Sequence, residues 1–214
     1  MQFEHLDLHN KVYAFWRNFW TRVLEKNRSP HSLKIEDFFR QDLIGVLLHD
    51  GEPIGLHCST YFNLNQTSAI DHPYFSSSFS GDYLKFLHAE NKKVGLTIEY
   101  LTIDEAWRKQ NFKYSLAEVL IGLHVELFKK SQADCIVAVA RTDLKVHKMA
   151  DKFGYSVIGE EVIKHNTPCA LITCSKEETR EHPDVEVSEH ISKLWGQHLD
   201  LREVRPERKL KLVA

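Results

Sequence analysis

The spacing of apolar residues predicts two helices at the start of the chain. Apolar side chains recur every three or four residues between positions 10 and 27, which is typical of an amphipathic helix. The Ser29-Pro30 pair ends this helix, because the residue before a proline disfavours helical backbone angles. The stretch "SLKIEDFFRQ", residues 32–41, predicts a second, short helical segment. The first eight residues alternate weakly and predict at most a short strand.

A hairpin and a long irregular region follow. Two apolar segments, residues 42–50 and 52–64, meet at Asp50-Gly51, and this dipeptide is a strong signal for a two-residue hairpin turn. Residues 63–93 are polar and rich in serine, with one short helix expected around residues 82–90. Long loops in compact domains often serve as lids or substrate-binding segments, so we expect this region to lie near a site.

The rest of the chain alternates between buried strands and helices. Residues 94–103 and 134–140 are almost continuously apolar and predict buried strands. Helices are predicted at Phe112–Lys130 and at residues 143–153, the second ended by Gly154. A strand pair at residues 155–165 and 168–175 completes a single domain, residues 1–180. Residues 181–214 are predicted as a charged connector, a helix from Val187 to Trp195 and a basic tail. This order predicts an α/β fold, a mixed sheet with helices on both faces.

Composition restricts the function classes. The chain has 214 residues, of which 43% are hydrophobic and 27% charged, as expected for one soluble domain. A formal net charge of −2 lacks the basic excess of a nucleic-acid binder. No apolar run could span a membrane, and the N-terminus lacks signal-peptide features, so we expect a cytoplasmic protein. The four cysteines lack metal-ligand spacing, so we expect free thiols and no metal site.

Two motifs within residues 43–175 resemble the GNAT superfamily of N-acetyltransferases. The strand "LTIEYLTI", residues 96–103, is followed by a turn that begins at Arg108, and "DLKVHKMADKFGY" has Gly154-Tyr155 where the family has Gly-Phe. The resemblance implies a GNAT-like mixed, mainly antiparallel, twisted sheet. It also implies an N-acyltransferase that moves an acyl group from acetyl-CoA or a longer acyl-CoA to an amine by direct attack. The acceptor would be a small-molecule or peptide amine.

In the family, the strand pairs with the pantetheine arm of CoA, and an Arg-x-x-Gly-x-Gly/Ala turn binds the pyrophosphate. Asn111 and Lys113 replace the small residues here, while Arg108, Lys109 and Lys113 place three cations at the expected start of the helix. Cations and free helix-end amides attract phosphate. The alternative is an ordinary helix start with solvated basic residues. The implied donor site consists of Leu101, Thr102, Ile103, Arg108, Lys109, Gln110, Asn111, Phe112 and Lys113.

The candidate catalytic residues are Glu99 and His147. Glu99 is a carboxylate in an apolar strand, where burial is costly unless the group is paired or functional. Its position resembles the strand glutamate that acts as general base in several GNAT enzymes; the alternative is pairing with an arginine or lysine. The tyrosine that commonly serves as general acid in the family is replaced by Ala150. His147, one helical turn earlier, is the substitute, and the alternative is a surface histidine.

The aromatic side chains Tyr61, Tyr74 and Phe75 are candidates for a substrate pocket, although such residues also build cores. The chain also weakly resembles N-acyl amino acid synthases and acyl-homoserine lactone synthases, GNAT-like enzymes that take acyl chains from acyl carrier protein. The basic tail, residues 201–214, could bind such an acidic carrier. The other alternative is a catalytically silent fold that binds an acyl-CoA-like ligand or a protein partner. A homodimer through the C-terminal helix is left open.

Overall fold

The computed structural model describes residues 5–76, 79, 81–108 and 113–201. Within these ranges eight strands form one sheet, in the order β1-β2-β4-β5-β8-β6, with β3 beside β4 and β7 beside β8. The β4–β5 pair is parallel and the other pairs in the described ranges are antiparallel. The strands are β1 Leu43–His49, β2 Glu52–Ser59, β3 Tyr61–Asn63, β4 Val94–Ile103, β5 Cys135–Arg141, β6 Ser156–Val157, β7 Val162–Lys164 and β8 Thr167–Ser175.

Helices cover both faces of this sheet, so the predicted fold class is confirmed. They are α1 Leu6–Lys26, α2 Glu36–Phe39, α3 Thr67–Ile70, α4 Pro73–Ser76, α5 Gly81–Ala89, α6 Leu116–Lys130, α7 Val146–Asp151 and α8 Val185–Gly196. Short 3₁₀ turns lie at Glu105–Trp107 and Lys176–Glu178. No helix in the described ranges is long and apolar enough to cross a bilayer.

Several local predictions can be compared with the structure. The hairpin is confirmed: Asp50 and Gly51 both have positive φ, 50° and 77°, as a two-residue turn of the type I′ kind requires. The strand expected at the N-terminus is wrong, because helix α1 already begins at Leu6, while residues 1–4 lie outside the described ranges. Residues 63–93 hold the expected helix as α5, together with two further short helices, α3 and α4.

Helix α6 begins four residues later than predicted. Ser115 is its N-cap, and the Ser115 hydroxyl accepts a hydrogen bond from the Glu118 amide at 3.4 Å. A serine at this position satisfies a free amide of the first turn and fixes the helix start there. The helix therefore runs from Leu116, and Phe112, where we expected it to begin, lies outside the described residues.

One face of the sheet packs against α6, α7 and α8, and we call it the α6 face. Its core is one continuous cluster that joins strand residues such as Leu96 and Ile136 with Leu120 of α6. Val187 and Ile191 of α8 belong to the same cluster. A Cβ on Gly122 of α6 would lie 2.3 Å from Ile191 Cδ1, so the glycine permits this close approach. The C-terminal helix is thus packed into the main core.

The opposite face, which we call the α1 face, carries two separate clusters. Trp16 of α1 and Phe38 of α2 pack on Leu56 and Cys58 of β2. Aromatic residues of α4 and α5 pack on β5 and β8 in the second cluster, which includes Phe62, Tyr74, Phe75, Phe79, Tyr83, Val137 and Leu171. Strand β4 lies between β2 and β5, so its α1-face residues separate the two clusters.

Candidate active site

Strands β4 and β5 separate halfway along their length. They pair in parallel from Gly95 and Cys135 to Ile98 and Ala138. Beyond this point β4 continues against β2, as far as Ile103, while β5 continues against β8. The divergence opens a gap in the middle of the sheet, and the backbone of β4 beyond Ile98 borders it.

A β-bulge in β4 lies at this divergence. Cys58 pairs with Glu99 and Leu56 with Thr102, so two residue steps along β2 oppose three along β4. Tyr100 takes up the extra residue with a φ of 52°, which is unusual for a bulky side chain. Bulges of this kind redirect side chains and are frequent beside active sites. As a result, Glu99 and Thr102 both pair with residues of the α1 face.

Glu99 forms a buried ion pair with Arg40, which caps the C-terminal end of α2. The Arg40 guanidinium donates to both carboxylate oxygens: Nη1 lies 3.2 Å from Oε1, and Nη2 contacts Oε2. The Thr97 hydroxyl donates to Oε1 at 2.9 Å. The Glu99 side chain is 7% exposed and that of Arg40 24%. Two hydrogen bonds from a planar guanidinium hold the carboxylate in a fixed orientation.

The charges at this pair influence the neighbouring groups. Burial alone would lower the pKa of Arg40, but the hydrogen bond and charge of Glu99 raise it above its ordinary value, so Arg40 stays charged. Lys164, at the end of β7, is half-buried, and its Nζ lies 4.9 Å from the centroid of the Tyr74 ring. Burial lowers the pKa of Lys164, while the charge of Glu99 opposes this effect. The pKa of the next residue, His165, falls to about 4, chiefly through burial.

The predicted donor-site residues fall into three groups: residues in β4, exposed cations, and residues outside the described ranges. Leu101, Thr102 and Ile103 lie in β4 beyond the divergence. Arg108 is exposed, 3.5 Å from a Glu105 oxygen, and its guanidinium carbon is 6.0 Å from the Phe19 ring centroid. Lys113 is also exposed and donates to Glu186 of α8 at 2.7 Å. The remaining predicted residues, Lys109, Gln110, Asn111 and Phe112, lie outside the described ranges.

His147 and Glu99 are not brought together. His147 is half-buried in α7, which packs on the α6 face, and its Nδ1 has no hydrogen-bond partner in the described part of the chain. Ala150, where the family has its tyrosine, is buried. The role of His147 as a general acid stays a prediction.

A different histidine, which no sequence pattern marks, lies close to β4. His124 of α6 is fully buried, with Nε2 3.1 Å from the Thr97 carbonyl oxygen and Nδ1 3.4 Å from the Tyr155 hydroxyl. Its ring centroid is 4.9 Å from that of His57 of β2. Burial lowers the pKa of His57 to about 4, and burial together with His57 lowers that of His124 well below its ordinary value. Both rings are therefore neutral at pH 7.

The candidate pocket residues lie on both faces of the sheet. Tyr74 and Phe75 are buried in the aromatic cluster of the α1 face, and the Tyr74 hydroxyl donates to the Val137 carbonyl oxygen at 3.2 Å. Tyr61 pairs with Leu96 and packs against the α6-face cluster instead. The structure does not bring Tyr61 together with the other two.

Sequence reasoning did not identify Arg40 as part of the site, since one arginine after a pair of phenylalanines has no distinctive pattern. The bulge did leave a signal. The α6-face residues of β4 fall at Leu96, Ile98, Leu101 and Ile103, so the two-residue period is interrupted once, between positions 98 and 101.

No family model matches this chain, and no curated protein matches it. Solved structures do resemble it. FeeM, an N-acyl amino acid synthase from uncultured soil microbes, superposes with a TM-score of 0.56 at 10% identity over 78% of this chain and 86% of its own. The CoA-dependent acyl-homoserine lactone synthase BjaI gives 0.54 at 11% identity, over 90% and 83%. A second such synthase, MesI, gives 0.51 at 12%, over 94% and 95%. The chain has the GNAT-like fold, and at these identities the likeness extends to the fold alone.

Proposed function

We propose that this protein is an N-acyltransferase that moves an acyl group from a CoA thioester, acetyl or longer, to an amine. The observation that carries the proposal is the divergence of β4 from β5 after Ile98 and Ala138, with Glu99 at the point of divergence. A thioester lying in this gap could bind the β4 backbone from one side, and an amine could approach Glu99 from the α1 face. The structural neighbours named as synthases support the same class of reaction.

The reaction needs one bond to form and one to break. The amine nitrogen attacks the thioester carbonyl carbon, a C–N bond forms, the C–S bond breaks, and CoA leaves as a thiol. Glu99 accepts the proton that the nitrogen loses, and the leaving sulfur takes up one proton from a separate donor, so that no net proton is released. Most of the rate would come from holding amine and thioester together, and from β4 amides that stabilise the oxyanion. His147 is the proposed proton donor to sulfur.

In this proposal Arg40 orients Glu99. Oε1 accepts from both Arg40 and Thr97, whereas Oε2 accepts from Arg40 alone in the described ranges, so Oε2 keeps a lone pair for the proton. The Thr97 hydroxyl stays available to hold Oε1. Arg40 is therefore assigned as a positioning residue, and Glu99 as the base.

The donor is proposed to bind with its pantetheine arm along Leu101–Ile103 and its phosphates near Arg108 and Lys113. Both cations are exposed, and their ion-pair partners in the described ranges are surface carboxylates, whose attraction salt and water weaken. A phosphate group would compete well for them. Lys109–Phe112 are proposed to complete the turn.

The test is thermal stabilisation by free CoA, acetyl-CoA and a long-chain acyl-CoA, together with release of free thiol when an amine is added. Binding at about 100 times Kd should add roughly 2.7 kcal/mol to the free energy of unfolding. The double variant Arg108→Ala/Lys113→Ala should lose most of this gain. Lys130→Ala, an exposed lysine at the other end of α6, should keep it. No stabilisation by any of the three compounds would contradict the proposal of a CoA donor.

A second candidate function is a fold that binds an acyl-CoA-like ligand without catalysis. The observation that favours it is the Glu99 carboxylate, which has both oxygens engaged by Arg40. Stabilisation by acyl-CoA without thiol release over a panel of amines would select this function. Release of thiol only from acylated carrier protein would instead select a carrier-protein donor, for which the proposed contact is the basic tail beyond the described residues.

A further inference from the structure

Lys164 lies across the strand divergence from Glu99. It ends β7, which pairs with β8, whereas Glu99 belongs to β4 on the other side of the gap. Val162, two residues before Lys164 in the same strand, packs on the aromatic cluster of the α1 face. Side chains two residues apart in a strand leave the sheet on the same face. Glu99 and Lys164 therefore flank the divergence on one face of the sheet.

A short series of contacts connects the two side chains. Lys164 Nζ lies 4.9 Å from the centroid of the Tyr74 ring, and the Tyr74 hydroxyl donates to the Val137 carbonyl oxygen. Val137 pairs with Thr97, whose hydroxyl donates to Glu99. Among the nearby charges, that of Glu99 has the largest effect on the pKa of Lys164, which it raises. The amine of Lys164 is thus on the side from which an acceptor is proposed to approach Glu99.

The turn after Lys164 is held against the segment that follows α1. His165 and Asn166 form this turn, with φ values of 52° and 56°. The Asn166 side-chain amide donates to the Arg28 carbonyl oxygen at 2.6 Å, and His165 Nδ1 lies 3.4 Å from the Ser29 hydroxyl oxygen. Helix α1 packs on β2 and β4, so these contacts join the two sides of the divergence. They fix the position of Lys164 at the gap.

The environment of Lys164 favours a reactive amine. Among the described residues, no carboxylate lies within ion-pair distance of its Nζ, which instead contacts the Tyr74 ring. Burial lowers its pKa, so a larger fraction of the amine is neutral than in a surface lysine. A neutral amine has the lone pair that attacks a carbonyl carbon. Because the residue is half-buried and not fully buried, molecules from solvent still have access to it.

We propose that Lys164 is an acylation site of the protein itself: when no other amine is present, its Nζ takes the acyl group from a CoA thioester bound to the same chain. Nζ attacks the thioester carbonyl carbon, a C–N bond forms, the C–S bond breaks, and CoA leaves as a thiol. Glu99 accepts the proton that Nζ loses, and the sulfur takes up one proton from a separate donor. This inference rests on the proposed acyl transfer, because it uses the same donor site and the same base.

The experiment is incubation of the full chain with acetyl-CoA and no added amine, followed by peptide mass spectrometry. Lys130, an exposed lysine at the end of α6, reports uncatalysed acetylation in the same sample. Lys164 should be acetylated at least about a hundredfold faster than Lys130, because a held thioester and a positioned base act on Lys164. The first-order rate constant should not depend on protein concentration, as expected for transfer within one chain.

Two variants and a second acyl donor separate positioning from the intrinsic reactivity of the amine. Glu99→Gln should slow acetylation of Lys164 by about a hundredfold or more and leave that of Lys130 unchanged. The double variant Arg108→Ala/Lys113→Ala should lose most of the preference for Lys164, and as a surface change it stays informative if Glu99→Gln does not fold. Acetyl phosphate, which has no CoA part to bind, should give a much smaller preference than acetyl-CoA.

Acetylation of Lys164 no faster than that of Lys130 would overturn the inference. So would equal rates in the wild type and folded Glu99→Gln, or a rate constant that rises with protein concentration. Thiol release over a panel of added amines, measured in parallel, tests the proposed function separately. If amines react while Lys164 stays unmodified, the inference fails and the proposed function stands. If Lys164 is acetylated and no added amine reacts, the reverse holds, and if neither reacts, both fail.

Discussion

The two faces of the sheet are packed in different ways. On the α6 face a single apolar cluster extends from the strands to α6, α7 and α8. On the α1 face the apolar packing is interrupted, because Thr97 and Glu99 of β4 separate the cluster around Trp16 from the one around Phe75. Each face has a buried glutamate in ion pairs, yet only Glu99 lies where the strands diverge. At this interruption, polar side chains take the place of apolar core packing.

Glu118 shows what a structural carboxylate looks like in this protein. It lies in the first turn of α6 and accepts hydrogen bonds from Lys152 at 2.7 Å and His182 at 3.0 Å. Its partners come from the segments after α7 and before α8, so the three residues tie these segments to α6. Variants of Glu99 and Glu118 can therefore be compared to distinguish an effect on catalysis from an effect on stability.

The largest effect is expected for Glu99→Gln. If Glu99 is the base, the rate of acyl transfer should fall by about 10²–10⁴, with little change in KM for the donor. Glu118→Gln should lower the free energy of unfolding and leave kcat of the folded enzyme unchanged, because its partners are remote from the strand divergence. Thiol-release kinetics and chemical denaturation of both variants provide the comparison. Equal rates in Glu99→Gln and the wild type would rule out the base role.

The next largest effects are expected when an apolar core residue is truncated on either face of the sheet. Leu120→Ala, on the α6 face, should cost about 3 kcal/mol of unfolding free energy, since Leu120 is 1% exposed. Its kinetic constants at a permissive temperature should match the wild type. Phe38→Ala, on the α1 face, should cost a similar amount and should also lower the rate of acyl transfer, because Phe38 anchors α2, whose C-cap residue Arg40 holds Glu99. A normal rate in folded Phe38→Ala would contradict a role of α2 in positioning Glu99.

A fall in pH should lower the free energy of unfolding through His57, which lies on the α6 face. The pKa of this buried imidazole is lowered from 6.5 to about 4, so the unfolded chain binds a proton more readily than the folded one. The contribution of His57 to the free energy of unfolding is therefore fully present above pH 6.5. It is lost as the pH falls towards 4, by about 3 kcal/mol. His57→Phe should make urea denaturation midpoints less dependent on pH in this window, while His124 and His165, whose pKa values are also lowered, continue to contribute. The same acid loss in both proteins would exclude His57 as a cause.

The smallest effect is expected at the hairpin turn, away from both faces. Gly51 has a φ of 77° and open space around its Cβ position, so Gly51→Ala should cost about 1 kcal/mol through backbone strain alone. Gly196→Ala also enters open space, but without a positive φ, and should be neutral or slightly stabilising. Thermal melts of the two variants give the baseline for the core changes. Acyl transfer should be unchanged in both.

Much of the fold could be predicted because it depends on local patterns. The Asp50-Gly51 turn, helix α5 and the buried strands follow from turn chemistry and apolar runs. The start of α6 was misjudged because the apolar spacing does not show which residue caps the helix, and Ser115 does so. Gly154 was predicted to stop α7, and its φ of 100° together with a Cβ position 2.0 Å from the Glu178 carbonyl oxygen explains why no larger residue fits.

The site was less predictable because its groups meet only in the folded chain. Glu99 could be singled out as a charge in an apolar strand, but its partner Arg40 is 59 residues away in sequence. Trp16 was recognisable as an apolar helix residue, whereas the lack of a partner for its indole nitrogen depends on the tertiary structure. Pairings of this kind arise from topology, which residue spacing alone does not encode.

The bulge at Tyr100 has a consequence for how the gene can change over time. Tyr100 is one residue more than the pairing with β2 needs, so deleting one residue between Glu99 and Thr102 would leave two steps of β4 against two of β2 and remove the bulge. Leu101 and Ile103 would still face α6, and Thr102 would still face α1. The apolar side of β4 would thus survive a single-codon deletion, whereas the backbone geometry at Tyr100 and beside Glu99 would be lost. Among sequences descended from this one, those that keep the length of this stretch should therefore be the ones that keep the site.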